Sequence, residues 1–182
     1  MAPFVSLDVG ELDELVTWLR PVVCKAGELL VKTDALMRDL VLIREGLVRV
    51  YAIQPDGRQV NLRFLAAPNV AVSMTSLIQR TAAEEWIEAV TPLTGYRVSH
   101  EDLKRSERYE RFMRLLAEQH YLSMERRVRM LQIPFARGRY AFFAAHVQPA
   151  IVAGMPDYHV ASYLGVTPET LSRARRKLDV AT

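Results

Sequence analysis

PDYHVASYLGVTPETLSRARRKLDVA, Pro156 to Ala181, packs more local structural signals into 26 residues than any other run of the chain. It divides into two short helical runs joined at Gly165. Proline cannot extend a preceding helix and Asp157 can accept from first-turn N–H groups, so a helix is expected to start at Pro156–Asp157. Val160, Ala161 and Leu164 share one face at helical spacing, and Ala161 is small enough to admit a close neighbour. Gly165 stands where the chain must reverse, a position that favours a left-handed backbone. Thr167 then caps a second helix, Pro168 suits its first position, and Leu171, Ala174 and Leu178 form its buried stripe. A tight helix pair of this kind is a device for placing one helix in the major groove of DNA.

The face opposite that stripe carries Glu169, Ser172, Arg173 and Arg176. Arginine grips guanine through O6 and N7, glutamate accepts from cytosine N4, and serine serves either partner. Arg175 and Lys177 flank this face and suit phosphates, which position a protein without specifying sequence. With Thr167 and Thr170 at the helix start, these residues are the expected DNA-contacting set. A solvated charged face on an ordinary helical hairpin is the competing reading.

These residues carry a resemblance to the Crp/Fnr family of bacterial transcription regulators. Glu169, Ser172 and Arg173 fall where Fnr-like members hold their base-reading Glu, Ser and Arg. The run YLGVTPETLSR, Tyr163 to Arg173, is similar to the short members of that family. Only four residues follow Leu178, whereas many members continue into a β-hairpin wing. The wing is therefore expected to be absent, and DNA binding to be weaker or more salt-sensitive.

Charge supports a polyanion-binding C-terminal part. The net charge is only +3, but residues 1–100 hold 10 Lys/Arg against 12 Asp/Glu, and residues 101–182 hold 14 against 9. A single cysteine, Cys24, excludes an internal disulfide and an all-cysteine iron–sulfur cluster. Lys25 beside it would lower its pKa if the two side chains met. No basic segment precedes a long apolar run, and no stretch approaches a membrane span. The chain is expected to be cytoplasmic, without a signal peptide or a membrane partner.

Residues 7–19 read as a short amphipathic helix with Leu12, Leu15, Val16 and Leu19 in register. From Pro21 to about Ser99, short β-rich runs recur: PVVCK, ELLVK, LVLIR, LVRVYAI, QVNLRFL, EEWIEAV and TGYRVS. The clearest hairpin is LVRVYAI–QPDGR–QVNLRFL, with Asp56-Gly57 at its turn. Short strands in series point to a β-roll or barrel. The run Leu40 to Leu65 resembles the cyclic-nucleotide-binding fold of the same family.

Ser99 can cap a helix starting at His100, and a long helix is expected from about Glu107 to Leu131, ended by Pro134. Met113, Ala117, Tyr121, Met124, Val128 and Leu131 form one stripe along it, and Tyr109, Phe112, Leu116 and Leu122 another. One stripe would cover the β-roll and the other, Met113 to Leu131, would pair with a second copy, as the resemblance implies; the competing reading is a single broad face buried within the same chain. Residues 135–148 read as a further helix.

The expected fold is α+β. An antiparallel β-roll of the cyclic-nucleotide-binding kind with flanking helices spans 1–106, a central dimerisation helix spans 107–133, and a helix-turn-helix part spans 134–182. In nucleotide-binding relatives a Gly-Glu pair and an Arg-Ser pair hold the ligand. Aligned on Trp86, the Arg-Ser positions fall on Ala83 and Glu84 and the Glu position on about Ser73. Arg80 is the nearby cation, and Glu84 and Glu85 would repel a phosphate. A cyclic nucleotide is therefore not expected. The histidines, His100, His120, His146 and His159, lie outside the strands, so no metal, other cofactor or enzyme activity is expected. His159 is expected to meet a phosphate or solvent.

The combined expectation is a homodimer that reads a palindromic site in double-stranded DNA. RNA polymerase is admitted as a further partner by the resemblance, and the small-molecule effector is unknown. The alternative is a ligand-sensing β-roll protein whose C-terminal helices bind a protein partner.

Overall fold

The computed structural model describes residues 16–31 and 36–179, the last three of them by backbone alone. Of the helix expected over residues 7–19, only 16–19 fall among these; 16–18 are helical and Leu19 is not. Eight strands follow: β1 (Arg20–Cys24), β2 (Leu29–Val31), β3 (Asp39–Glu45), β4 (Leu47–Ile53), β5 (Gln59–Ala66), β6 (Asn69–Ala71), β7 (Trp86–Ala89) and β8 (Leu93–Ser99). They form two antiparallel four-stranded sheets, ordered β1-β8-β3-β6 and β2-β7-β4-β5. This is the expected β-roll, and each β-rich run of the sequence supplies one strand. The short β6 and the helix α1 (Met74–Gln79) were not anticipated in the PNVAVSMTSLIQ segment.

Alternation explains why the roll closes. Leu40, Val48, Val50, Ile87, Leu93 and Val98 project inward from both sheets and are essentially inaccessible to solvent. The β4–β5 hairpin turns at Asp56-Gly57, where Gly57 takes φ +83° and its N–H donates to Gln54 O at 2.8 Å.

The register of that hairpin slips once. Val50 faces Arg63 while Tyr51 faces Asn61, so Leu62 is an extra residue in β5. The bulge changes parity. Arg63 and Leu65 point into the roll, whereas Asn61 and Phe64 face outward, onto the C-terminal helices.

Ser99 caps α2 (His100–Leu103), its hydroxyl accepting from Asp102 N–H at 3.0 Å. The long helix α3 runs Tyr109–Gln132, close to expectation, and stops before Pro134 with Ile133 extended. Its two stripes are not separate at the N-terminal end. Met113 and Ala117, expected on the dimer side, pack on the roll core together with Tyr109, Phe112 and Leu116. A helix lying in a curved sheet's lap buries a broad arc of its surface, so the stripe is split. Leu131 packs on the C-terminal cluster, and the exposed section is Tyr121 to Val128.

Then come α4 (Ala136–His146), the unanticipated α5 (Pro149–Gly154), α6 (Asp157–Leu164) and α7 (Pro168–Asp179). A second core joins them to the outer face of the β4–β5 sheet. Met130, Phe143, Ile151, Val160, Leu164 and Leu171 meet Leu47 and Ala66 there. Among the described residues no helix is long and apolar enough to cross a membrane.

Candidate nucleic-acid interface

The helix pair α6–α7 is built from local signals. Gly165 ends α6 in the left-handed region at φ +67°, ψ +40°, and the N–H groups of Gly165 and Val166 return to Ser162 O and Ala161 O. Thr167 Oγ1 accepts from Thr170 N–H at 3.2 Å and so caps α7, with Pro168 as its first residue. Val160, Ala161, Leu164, Leu171 and Ala174 are buried between the two helices and α4. Arg139 of α4 staples the turn, donating to Ile133 O at 2.7 Å and to Leu164 O at 3.0 Å.

Asp157 does not cap α6. Pro156 occupies the cap position without a side-chain bond, and the Asp157 carboxylate instead accepts from Arg175 of α7. An aspartate in the first helical position points its carboxylate outward, toward the neighbouring helix, and loses reach to the first-turn N–H groups.

The outward face of α7 holds Glu169, Ser172, Arg173 and Arg176, all exposed. A hydrogen bond from its own backbone N–H, helped by Thr167 and Arg173, holds the Glu169 carboxyl below the usual range. It is therefore an acceptor at neutral pH, as pairing with cytosine N4 requires. Arg173 makes only a long contact, 3.4 Å, to Thr170 Oγ1 and keeps its guanidinium open. Arg175 differs from its neighbours. It is ion-paired with Asp157 and lies 5.0 Å from the Tyr140 ring. Lys177 belongs to α7, but its side chain, like that of Leu178, is outside the description.

His159 is neither at solvent nor on the outward face. It is 5% exposed and faces β4 and β5, with Nδ1 at 3.3 Å from both Arg49 Nη1 and Asn61 Nδ2. Burial, and secondarily the Arg49 guanidinium, pushes its pKa down from 6.5 to about 4. Sequence reasoning missed Arg49, Asn61, Arg127 and Arg139, which carry the helix pair. The available signal was polar residues inside strongly apolar strands, such as Arg49 in LVRVYAI and Arg63 in QVNLRFL.

Inside the roll the buried Arg63 is held by the protein itself. Arg63 donates to Glu85 at 3.2 Å, to Val72 O at 3.3 Å and toward His120 Nδ1 at 2.9 Å. Glu85 is thus neutralised by a partner the sequence did not indicate, and the buried arginine is engaged. Ser73 occupies the cap position of α1 without a side-chain bond and is fully buried, Ala83 is buried, and Arg80 is exposed with a left-handed backbone at φ +55°. Cys24 is buried in β1, and burial, reinforced by Glu28, raises its thiol pKa. The lowering influence comes from Arg97 rather than from Lys25, and desolvation, which disfavours the thiolate, outweighs it.

Along α3, Tyr121 is 68% exposed and Val128 56%, with Leu122 exposed between them and Met124 half-buried. These residues form a solvent-facing apolar strip about two turns long.

Residues 21–106 match the cyclic nucleotide-binding domain family. No curated protein matches the chain. Among solved structures, FixK2 from Bradyrhizobium japonicum is 21% identical with a TM-score of 0.78, covering 90% of this chain and 85% of its own. The c-di-GMP-responsive global regulator CLP of Xanthomonas campestris is 16% identical with a TM-score of 0.74, covering 96% and 93%. A protein ascribed to the crp/fnr family of transcriptional regulators, from Eubacterium rectale, is 19% identical with a TM-score of 0.72, covering 96% and 85%. The chain shares the fold of these solved regulators, and its residues 21–106 are similar to the cyclic nucleotide-binding domain family, as the sequence resemblance implied.

Proposed function

We propose that this chain is a dimeric, sequence-specific DNA-binding transcription regulator of the Crp/Fnr type, not controlled by a cyclic nucleotide. The observation that carries the reading is α7. One side is buried against α4 and α6, while the other presents Glu169, Ser172, Arg173 and Arg176, all exposed, with no segment among the described residues over them. Donors and an ionised acceptor on a capped, rigid helix are what base-edge recognition uses. The exposed strip Tyr121–Val128 is the natural seam for a second copy, which would set two such helices on a palindrome. Among the described residues a ligand phosphate meets no free cation inside the roll, since Arg63 is engaged with Glu85 and His120.

Selection of bound DNA from a random library tests the function. A recovered palindrome with half-sites about 10 base pairs apart is expected. Enrichment of no sequence, with a shallow dependence of affinity on salt, would instead favour a C-terminal part that binds protein. Calorimetry with cAMP and cGMP is expected to give no heat at micromolar concentration. Binding lost on mutating Arg80 would overturn that part.

A further inference from the structure

We propose that Arg49, Asn61, His159 and Ser162 form a joint that fixes the helix-turn-helix against the β-roll and thereby sets the half-site spacing a dimer reads. The inference rests on the DNA-reading function above and names the residues that position it.

Strand β5 is the outer strand of its sheet, so one row of its N–H and C=O groups has no neighbouring strand. Helix α6 supplies the missing partners. The Ser162 hydroxyl accepts from Asn61 N–H at 3.1 Å and donates to Gln59 O at 3.1 Å, doing for two backbone groups what a further strand would do. The Asn61 side chain donates to His159 O at 3.1 Å and approaches His159 Nδ1 at 3.3 Å.

Arg49 closes the joint from β4. Its Nη1 faces the same His159 Nδ1, its Nη2 donates to Glu88 at 2.7 Å, and its guanidinium lies 4.0 Å from the Tyr51 ring centre. Both groups facing Nδ1 are donors, so the imidazole is neutral and accepts there. The far end of α6 is held as well, by Arg127 on Tyr163 O at 3.1 Å and by Arg139 on Leu164 O. The first helix of the pair is therefore fastened to the roll at one end and to α3 and α4 at the other.

A polar joint of this kind is a poor choice for stability alone. Arg49 is 6% exposed, and neither its Nε nor Asn61 Oδ1 has a partner among the described residues. An apolar contact of the same shape would cost less. What directional bonds supply is orientation, which a smooth apolar contact leaves free to slide. The joint covers no part of the α7 outward face, so it does not block that face but aims it. In a dimer paired along α3, the distance between the two α7 helices follows from this aim.

The test uses the full chain and its Ser162→Ala and Asn61→Ala variants, each checked for folding by circular dichroism. Palindromes selected by the unaltered protein are respaced by one and two base pairs, and single half-sites are included. The unaltered chain is expected to discriminate sharply among spacings. The variants are expected to lose about tenfold of that discrimination, the scale of one or two hydrogen bonds, while single half-site affinity is unchanged. Ser162→Thr keeps the hydroxyl and is expected to restore the preference. Variants that keep full spacing selectivity, or that lose affinity equally for every DNA, overturn the joint while leaving the DNA-reading function standing. Failure of the unaltered chain to bind any DNA removes that function, and the joint's role with it.

Discussion

His120 Nδ1 lies 2.9 Å from Arg63 Nη1, a contact that ties the middle of α3 to the inside of the β-roll. Arginine has no acceptor, so the imidazole must be neutral and accept. Burial, and then the Arg63 charge, pushes the His120 pKa from 6.5 to about 4, the same displacement that burial and Arg49 impose on His159. His159 is faced by Arg49, Asn61, Glu88 and the Tyr158 ring, and only Glu88 opposes the shift. Between about pH 4 and 6.5 the unfolded chain therefore binds protons that the folded chain does not. Stability is retained in full above that window and falls as pH drops through it. Urea midpoints are expected to be lower at about pH 5 than at about pH 7.5, and His120→Gln should flatten part of the fall. Equal midpoints in the unaltered chain would mean that the two imidazoles titrate normally.

Arg175 is expected to behave differently from the other cations of α7. Its guanidinium bonds Asp157 and lies against Tyr140, joining α7 to α6 and α4. Arg175→Ala should lower the unfolding free energy by about 1 kcal/mol, from a half-exposed ion pair and a ring contact together. Asp157→Asn should reproduce part of that loss. A variant of unchanged stability that binds all DNA less tightly would identify Arg175 as a phosphate contact instead.

The parts of this architecture that sequence disclosed are those encoded within a few residues. Thr167, Pro168 and Gly165 each state a local backbone preference, and alternation in LVRVYAI and QVNLRFL marks a hairpin with one inner face. The bulge at Leu62 has no such marker. It reverses parity within β5, so alternation alone would put Asn61 and Arg63 on one side, whereas they serve opposite sides. The partners of these residues lie far along the chain. Asn61 and Arg49 meet His159 98 and 110 positions away, and no spacing rule connects them. For the same reason Glu85 reads as a repelling charge in sequence, whereas Arg63 neutralises it in the fold.

The strip on α3 makes a prediction about assembly. Tyr121 and Val128 are exposed in the single chain, so a charge at either position leaves the roll and both cores intact. Val128→Glu is expected to weaken a helix-paired dimer by about a hundredfold, since the seam would enclose an unpaired carboxylate. Sedimentation should then show monomer at concentrations where the unaltered chain is dimeric, with the melting curve of the diluted protein unchanged. A dimer that persists with Val128→Glu would place the seam elsewhere.

If α7 reads bases, Arg173 is expected to do so before any other residue of the helix. It is exposed, its longest-reaching contact within the chain is a weak one to Thr170, and Glu169 lies one turn before it on the same face. A guanidinium held this loosely can turn to present two parallel donors to guanine at little cost. Arg173→Ala is expected to cost about 1–3 kcal/mol per half-site on the selected palindrome and to relax the sequence preference at one base pair. Binding to random DNA should change much less, because a base contact contributes little to the sequence-independent term. Arg173→Lys separates charge from geometry. It keeps the cation and loses the fork, so specificity should stay low while the salt dependence of binding recovers. Equal losses on specific and random DNA for Arg173→Ala, fully repaired by lysine, would reassign the residue to the phosphate backbone and move the reading role to Arg176.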